Sequence, residues 1–496
     1  MDAAPGIRLP GGVIVAPRAA LLAALFLLLA GPLGLMLAVQ VPLGHVADEP
    51  AHVLRAAGLL HGELIGHRQT VRRPDGRVVV QDMLLTDAAL ERVITVPIAP
   101  AVFSPVPTTR QMIEAARALP WDAQPTDVYL PPVAAGYFPL LYMPGALAIG
   151  ATRLFGGSPY QAFLAMRIAN LLLFCLLGSA SLLLARQGAA LAFSVLLLPM
   201  TLNLAASTSQ DGLLLATTTL ALALLGRAGA AHAVARSGCY YGAATLLGAV
   251  ALTKSPYLPL VALLLLPLER PIGAAEARRR IATCLLAALP SLLWLAWAHD
   301  VSALPLELAS YDAGPLWPGP RPAVFEASDP AAQLRVVLVH PLGVAAAGLR
   351  TLWRDRMLLP EQMIGQLGWL NLRLPGWLYP AWMLAAAAAV LADARDGRPT
   401  GTDQGWRDAG LAVAVALLGL ILVMLSEYLT WSPVGHDWIE GVQGRHLLPL
   451  IPVLGFAIPS LPGWRWRRWL LLAPVAVAAA DLVVLPRVVI AWYYLP

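Results

Sequence analysis

The chain has 496 residues, of which 58% are hydrophobic and only 13% charged, against about 25% charged in ordinary soluble domains. Mean hydropathy is +0.68. These values exclude a soluble globular enzyme, whose surface needs more polar residues, and they exclude intrinsic disorder; an all-α polytopic membrane protein is predicted. The net charge of +5 does not point to nucleic acid, because the basic residues stand in short clusters between apolar runs, as loops that flank membrane helices do. Of the 34 basic residues 33 are arginine, which leaves Lys254 as the single lysine. Cys175, Cys239 and Cys284 lie inside apolar runs without metal spacing, and read as small core residues.

The first apolar run, Ala19 to Val41, follows Arg8 and Arg18 and is followed by no small-x-small cleavage site. It reads as an uncleaved transmembrane helix. A long polar segment comes next, and apolar runs then recur at 162–185, 188–206, 212–226, 238–253, 257–268, 281–299, 376–393, 409–427, 446–460 and 469–485. With the first run this predicts about eleven spans, 12–13 being the alternative. The run Tyr137–Phe155 holds Pro139, Pro144 and Arg153. If it does not span, short loops on the N-terminal side carry 15 arginines, among them Arg186, Arg227, Arg270, Arg398 and Arg465, against Lys254, Arg445 and Arg487 on the other. If it spans, that bias reverses. The excess of positive charge on the cytoplasmic side therefore predicts a re-entrant or interfacial helix at 137–155, a cytoplasmic N-terminus, and one integral membrane domain over 1–496. Two long exterior segments result, 43–161 with amphipathic helices and 300–375.

Four clusters fall on that exterior side. The first is His45 followed by Asp48-Glu49-Pro50-Ala51-His52 and Arg55. Pro50 suits the first turn of a helix, with Asp48 or Glu49 at its N-cap. Asp48, His52 and Arg55 recur at i, i+4 and i+7, so they share a face. Adjacent carboxylates after a membrane helix suit a general base; a helix cap with a solvated face is the structural alternative. The second cluster, Ser207-Thr208-Ser209-Gln210-Asp211, offers Asp211 as a second acid or as a cap. The third sets Lys254 beside Pro256, as a snorkelling lysine or an anion site. The fourth, Gln443-Gly444-Arg445-His446, sets an arginine suited to phosphate at a membrane mouth, or an interfacial anchor there. His45, Asp48, Glu49 and His52 also offer an oxygen/nitrogen set for a divalent cation, and a metal-free base is equally open.

These blocks resemble a bacterial membrane protein family catalogued as domain of unknown function 2142. Asp48-Glu49-Pro50-Ala51-His52 with Arg55-Ala56 opens the likeness. Tyr137-Phe138-Pro139 with Tyr142-Met143-Pro144, Lys254-Ser255-Pro256-Tyr257, Gln333 with Pro341, Leu367-Gly368-Trp369, and Gln443-Gly444-Arg445-His446 with Pro449 continue it over about 45–460. His446 stands where the pattern has an aromatic Tyr, and the stretch Ser207–Asp211 replaces an Asn-containing version. The layout is in turn similar to the GT-C superfamily of glycosyltransferases, which take a sugar from a polyprenyl-phosphate carrier at the outer face and place an acid just after the first helix. The resemblance implies a GT-C-like membrane glycosyltransferase of the bacterial inner membrane with its active site on the periplasmic side. Its catalytic candidates are Asp48, Glu49, His52 and Asp211. Lys254, Arg445, Arg55, Gln443 and His446 are candidates for the lipid phosphate, and Asp48, Glu49 and His52 for any metal. The partners are a polyprenyl-phosphate-linked sugar, a glycan, lipid or protein acceptor, and membrane lipids. A transporter of a lipid-linked saccharide or small anion would prefer mid-span charges, of which Arg167 and Asp481 are the obvious ones, and repeat symmetry. A non-catalytic envelope-assembly partner would tolerate changes at Asp48 and Glu49.

Overall fold

The computed structural model describes residues 7–8, 14–15, 17–73, 76–95, 107–229, 233–266, 273–302, 306–396, 403–458, 460–461 and 466–495. Arg270, Arg398 and Arg465, which entered the charge count, lie outside them.

The protein is predominantly helical and membrane-embedded. Among the described residues six helices are long and apolar enough to cross a membrane: Pro17–Gln40, Pro159–Leu184, Asp211–Ala228, Ala274–Val301, Trp406–Thr430 and Trp469–Tyr493. A seventh is reached if Pro330–Val339 and Pro341–Arg354, bent by 106°, count as one span. The other apolar runs among the eleven expected are mostly short or proline-broken. Residues 188–206 form Ala189–Leu196 and Pro199–Ala205, divided at Pro199. Residues 257–265 lie in a 3-10 helix, Ser255–Leu265, and 446–456 lie in two 3-10 turns, Gly444–Leu450 and Pro452–Phe456. Proline removes an N–H and clashes with the preceding turn, which favours a break in these runs, although Pro32, Pro290 and Pro486 are carried inside continuous spans. Irregular backbone is tolerated at membrane depth where protein covers it, and Tyr257, Leu260, Leu263, Leu448 and Val453 are all buried.

The first helix shows how the bundle is sided. Leu22, Phe26, Leu29, Leu33 and Leu37 are buried, while Leu21, Leu28, Leu35 and Val39 are exposed. A helix that is apolar all round faces core on one side and lipid on the other. Exposed Trp406 and Trp469 open two spans, and exposed Trp431 and Trp492 stand at their far ends, the pattern of aromatic belts at both interfaces. The helix Met143–Leu154 has 12 residues, about 18 Å, too short for a hydrocarbon core of about 30 Å. It packs along Pro159–Leu184.

Segment 43–161 also contains a three-stranded antiparallel sheet, His67–Arg72, Val78–Thr86 and Thr126–Tyr129, with Met83 paired to both His67 and Tyr129. Asp82, Leu84 and Thr86 alternate inward, as a half-buried strand requires. Leu84 lies against Gly58, where an added Cβ would meet its methyl groups at 2.8 Å, so the sheet clamps the helix Glu49–Gly58 from behind.

Candidate active site

After the first helix the chain turns through Val41–Ala47 and enters the helix Glu49–Gly58, with Pro50 in its first turn. Asp48 occupies the N-cap position with a left-handed backbone, φ 63, and makes no side-chain cap bond. A non-glycine residue in that region carries strain that its surroundings must hold in place. The carboxylate is directed to Arg445, whose Nη2 donates to Asp48 Oδ2. Arg445 Nη1 donates to the Ala47 carbonyl at 3.1 Å and Nε to Gln443 Oε1 at 2.6 Å. The Asp48 side chain is 53% exposed and that of Arg445 1%: an open acid with a sealed cation behind it. Burial pushes the Asp48 carboxyl up, and the opposing pull of Arg445, aided by His52 and His446, leaves it below its usual value. Gly444 is what lets this loop in. A Cβ there would strike the Leu359 carbonyl, and its N–H donates to Gln362 Oε1 at 2.8 Å.

Asp211 lies in the first turn of Asp211–Ala228 and accepts from Lys254 Nζ at 2.5 Å. Lys254 ends the helix Ala233–Thr253, just before Pro256, and its ammonium lies 5.2 Å from the centre of the Tyr137 ring. His52 is stacked on Tyr137, with its Nδ1 2.6 Å from the Tyr142 hydroxyl. Burial pushes the His52 imidazole down to about 4, against the pull of Asp211 and Asp48, so it is neutral at pH 7. Asp48, His52, Asp211, Lys254, Arg445, Gln443 and His446 therefore form one cluster. His446 pairs with Glu427 at 3.3 Å, and its carbonyl accepts from the Tyr257 hydroxyl at 2.7 Å.

Two singled-out residues turn into the packing. Glu49 is paired with Arg167, and neither side chain is exposed. Glu49 also accepts from Gly44 N at 3.0 Å and Thr208 N at 3.1 Å. Arg55 does not share a site face with Asp48; its guanidinium donates to the carbonyls of Glu63, Leu64 and Tyr137. Arg167 is thus a bundle contact, and Asp481 accepts from Trp382 Nε1 at 3.0 Å within the helices. The possible metal set Asp48, Glu49 and His52 diverges toward Arg445, Arg167 and Tyr142. Among the described residues no group of three His, Cys, Asp or Glu side chains is arranged to hold a metal ion. Tyr137, Tyr142, Tyr257, Glu427 and Thr208 join the site or its frame without having been assigned a role; the first three sat in the sequence blocks already noted.

Among solved structures the chain is similar to the crystal structure of ArnT from Cupriavidus metallidurans in the apo state, at 18% identity and a TM-score of 0.24, covering 70% of this chain and 66% of that one. The chain thus spans just under two thirds of that protein's length. No curated protein sequence matches it. Residues 32–454 match the family described as "Predicted membrane protein (DUF2142)", and the chain belongs to that family.

Proposed function

We propose that the protein is a glycosyltransferase that moves a sugar from a polyprenyl-phosphate carrier to a glycan, lipid or protein acceptor at the outer face of the bacterial inner membrane. The observation that carries this reading is the pairing of an open, ionised Asp48 with a sealed Arg445, beside the Asp211–Lys254 pair. Asp48 takes the proton of the acceptor hydroxyl as its oxygen attacks the anomeric carbon. The bond from that carbon to the phosphate oxygen breaks, with inversion, and the polyprenyl phosphate leaves with the extra negative charge. General-base help of this kind contributes about 10²–10⁴ in rate.

The leaving phosphate needs fixed cations where water is scarce. Lys254 has three N–H donors, and Asp211 takes one of them. Arg445 has five, of which the contacts to Gln443, Ala47 and Asp48 use three. The donors left on Lys254 serve the phosphate directly, while the sealed Arg445 acts on it through its charge, with Gln443 and His446 shaping that wall. Asp211 keeps Lys254 charged and aimed. His52, neutral and fixed by Tyr142, orients the acceptor or the sugar. Glu49 and Arg55 act through the frame rather than on the substrate.

The test is a comparison of surface glycans in a strain lacking the gene, complemented with the parent chain, Asp48→Asn or Asp48→Glu. The expected result is a missing glycan that the parent restores and Asp48→Asn does not, at equal membrane abundance. Full restoration by Asp48→Asn would overturn the assignment and favour transport or assembly.

A further inference from the structure

A groove of about 230 Å³ opens where the end of the first span meets the start of Pro159–Leu184 and the short helix Arg110–Arg117. Val39, Ile113 and Leu164 line it, with Tyr160 and Tyr494 beside them. Arg117 stands in the same lining, its guanidinium carbon 5.2 Å from the centre of the Tyr160 ring. Among the described residues that ring is its one recorded partner, since Glu114, the acid on its own helix, is taken by Arg110 at 2.7 Å. Arg117 is exposed.

The apolar wall does not stop at the groove. Leu28, Leu35 and Val39 are exposed along one stripe of the first span, and Leu172 and Leu176 are exposed on the neighbouring helix. Positions spaced by seven and four share a helical face, so the groove runs into the lipid-facing surface. One end of it is apolar and continuous with the bilayer; the other holds a guanidinium without a carboxylate. Guanidinium forks match phosphate oxygens, and basic groups at the membrane surface attract anionic lipid. The Tyr160 ring fixes the guanidinium's plane in advance. Tyr494 donates to the Gln40 carbonyl at 2.7 Å and closes the groove's end.

We infer that this groove binds an anionic glycerophospholipid of the surrounding bilayer, its phosphate against Arg117 and an acyl chain along Val39, Leu35 and Leu28. The site is independent of the chemistry at Asp48. It does share the turn at Val41 and Pro42, whose carbonyls accept from Arg167 at 2.6 and 3.0 Å, so an occupant also braces the frame of that turn.

The test uses the full chain in mild detergent, offered equal amounts of phosphatidylglycerol and phosphatidylcholine, with retained lipid counted by native mass spectrometry. The parent is expected to retain phosphatidylglycerol about tenfold better, because the choline ammonium of phosphatidylcholine offsets the phosphate charge that Arg117 meets. Arg117→Gln and the groove-filling Val39→Trp are expected to lose that preference while eluting as folded protein, and Arg110→Gln to keep it. Equal retention by the parent and Arg117→Gln would overturn the site, as would a parent with no preference between the two lipids. Preferential retention of added polyprenyl phosphate would also overturn it, by assigning the groove to a carrier lipid.

Discussion

The Glu49 carboxylate and the Arg167 guanidinium meet side-on, Nε to Oε1 at 2.7 Å and Nη2 to Oε2 at 2.6 Å. Arg167 also donates to the carbonyls of Ala38, Val41 and Pro42, and Thr208 bonds Glu49 through both its N–H and its hydroxyl. One buried pair thus ties the first span, the helix Pro159–Leu184 and the loop before Asp211 to the residue that follows Asp48. Two carboxylates adjacent in sequence have opposite surroundings, one sealed and fully paired, the other open.

That contrast predicts a split between neighbours. Glu49→Gln leaves Arg167 buried without its countercharge, which is expected to destabilise the fold by about 3–5 kcal/mol. Asp48 is half exposed and Arg445 keeps Asp211 as a second countercharge, so the effect of Asp48→Asn on stability is expected below about 2 kcal/mol, with transfer abolished. Thermal unfolding in detergent, run beside glycan complementation, separates the two. Equal stability losses would remove the distinction between frame and base.

The Asp48–Arg445 contact predicts a shift in pH dependence. Arg445 favours the ionised carboxylate, so Asp48 stays charged below the usual carboxylate value and limits the parent only at lower pH. Arg445→Gln removes that pull while burial remains, so the acidic limb of the rate profile is expected to move to higher pH. Arg445→Lys keeps a charge but loses the planar fork, and should fall between. A limb unchanged in Arg445→Gln would mean that Asp48 is not the titrating base.

Much of this was legible in the sequence because it rests on one-dimensional signals. Apolar run length gave the membrane class, and Asp48, Asp211, Lys254 and Arg445 stood out as charges at run ends. What was not legible depends on direction. The i, i+4, i+7 spacing put Arg55 on the face of Asp48, but its guanidinium is drawn to carbonyl oxygens at Glu63, Leu64 and Tyr137. Nothing in the sequence separates Glu49 from Asp48, because their difference comes from Arg167, 118 positions away. The sheet in segment 43–161 did leave a trace. Pro74-Asp75-Gly76 is a turn sequence, and the Val-rich run after it suits a strand; the helical reading of that segment passed over it.

His52 predicts acid sensitivity of the fold. Its imidazole titrates near 4, below the unfolded value of about 6.5. The neutral form is the one the site accepts, so its contribution is full above about pH 6.5 and is lost as pH falls toward 4. At about 1.36 kcal/mol per unit, the loss is on the order of 3 kcal/mol. His52→Gln cannot take up that proton, so its thermal midpoint should fall less than the parent's between pH 6.5 and 4. Parallel declines in the two proteins would assign the acid sensitivity to other groups.

Orientation in the membrane carries the proposed chemistry, because a polyprenyl-linked donor is used at the outer face only if Asp48 opens there. The helix Asp211–Ala228 begins beside Lys254 and ends at Gly229; its 18 residues rise about 27 Å, close to the thickness of a hydrocarbon core. Gly229 therefore belongs to the side away from the Asp48 cluster; the 3-10 helix Ser255–Leu265 leads back from Lys254, and Arg280 of Ala274–Val301 donates to the Leu266 carbonyl at its end, so the start of that helix belongs there too. The 15-to-three asymmetry of basic residues in the sequence-based topology predicts that this side is cytoplasmic. Asp87 and Ala313 are natural reporter positions for the other side. Both are buried, Asp87 between His61 and Arg153, so a probe belongs on the exposed Val80 and Asp312 instead. Val80→Cys and Asp312→Cys are expected to react with an impermeant maleimide in intact cells, and Ala274→Cys only after the membrane is opened. Labelling of Ala274→Cys from outside, with Val80→Cys protected, would turn the site toward the cytoplasm and remove the case for an outer-face donor.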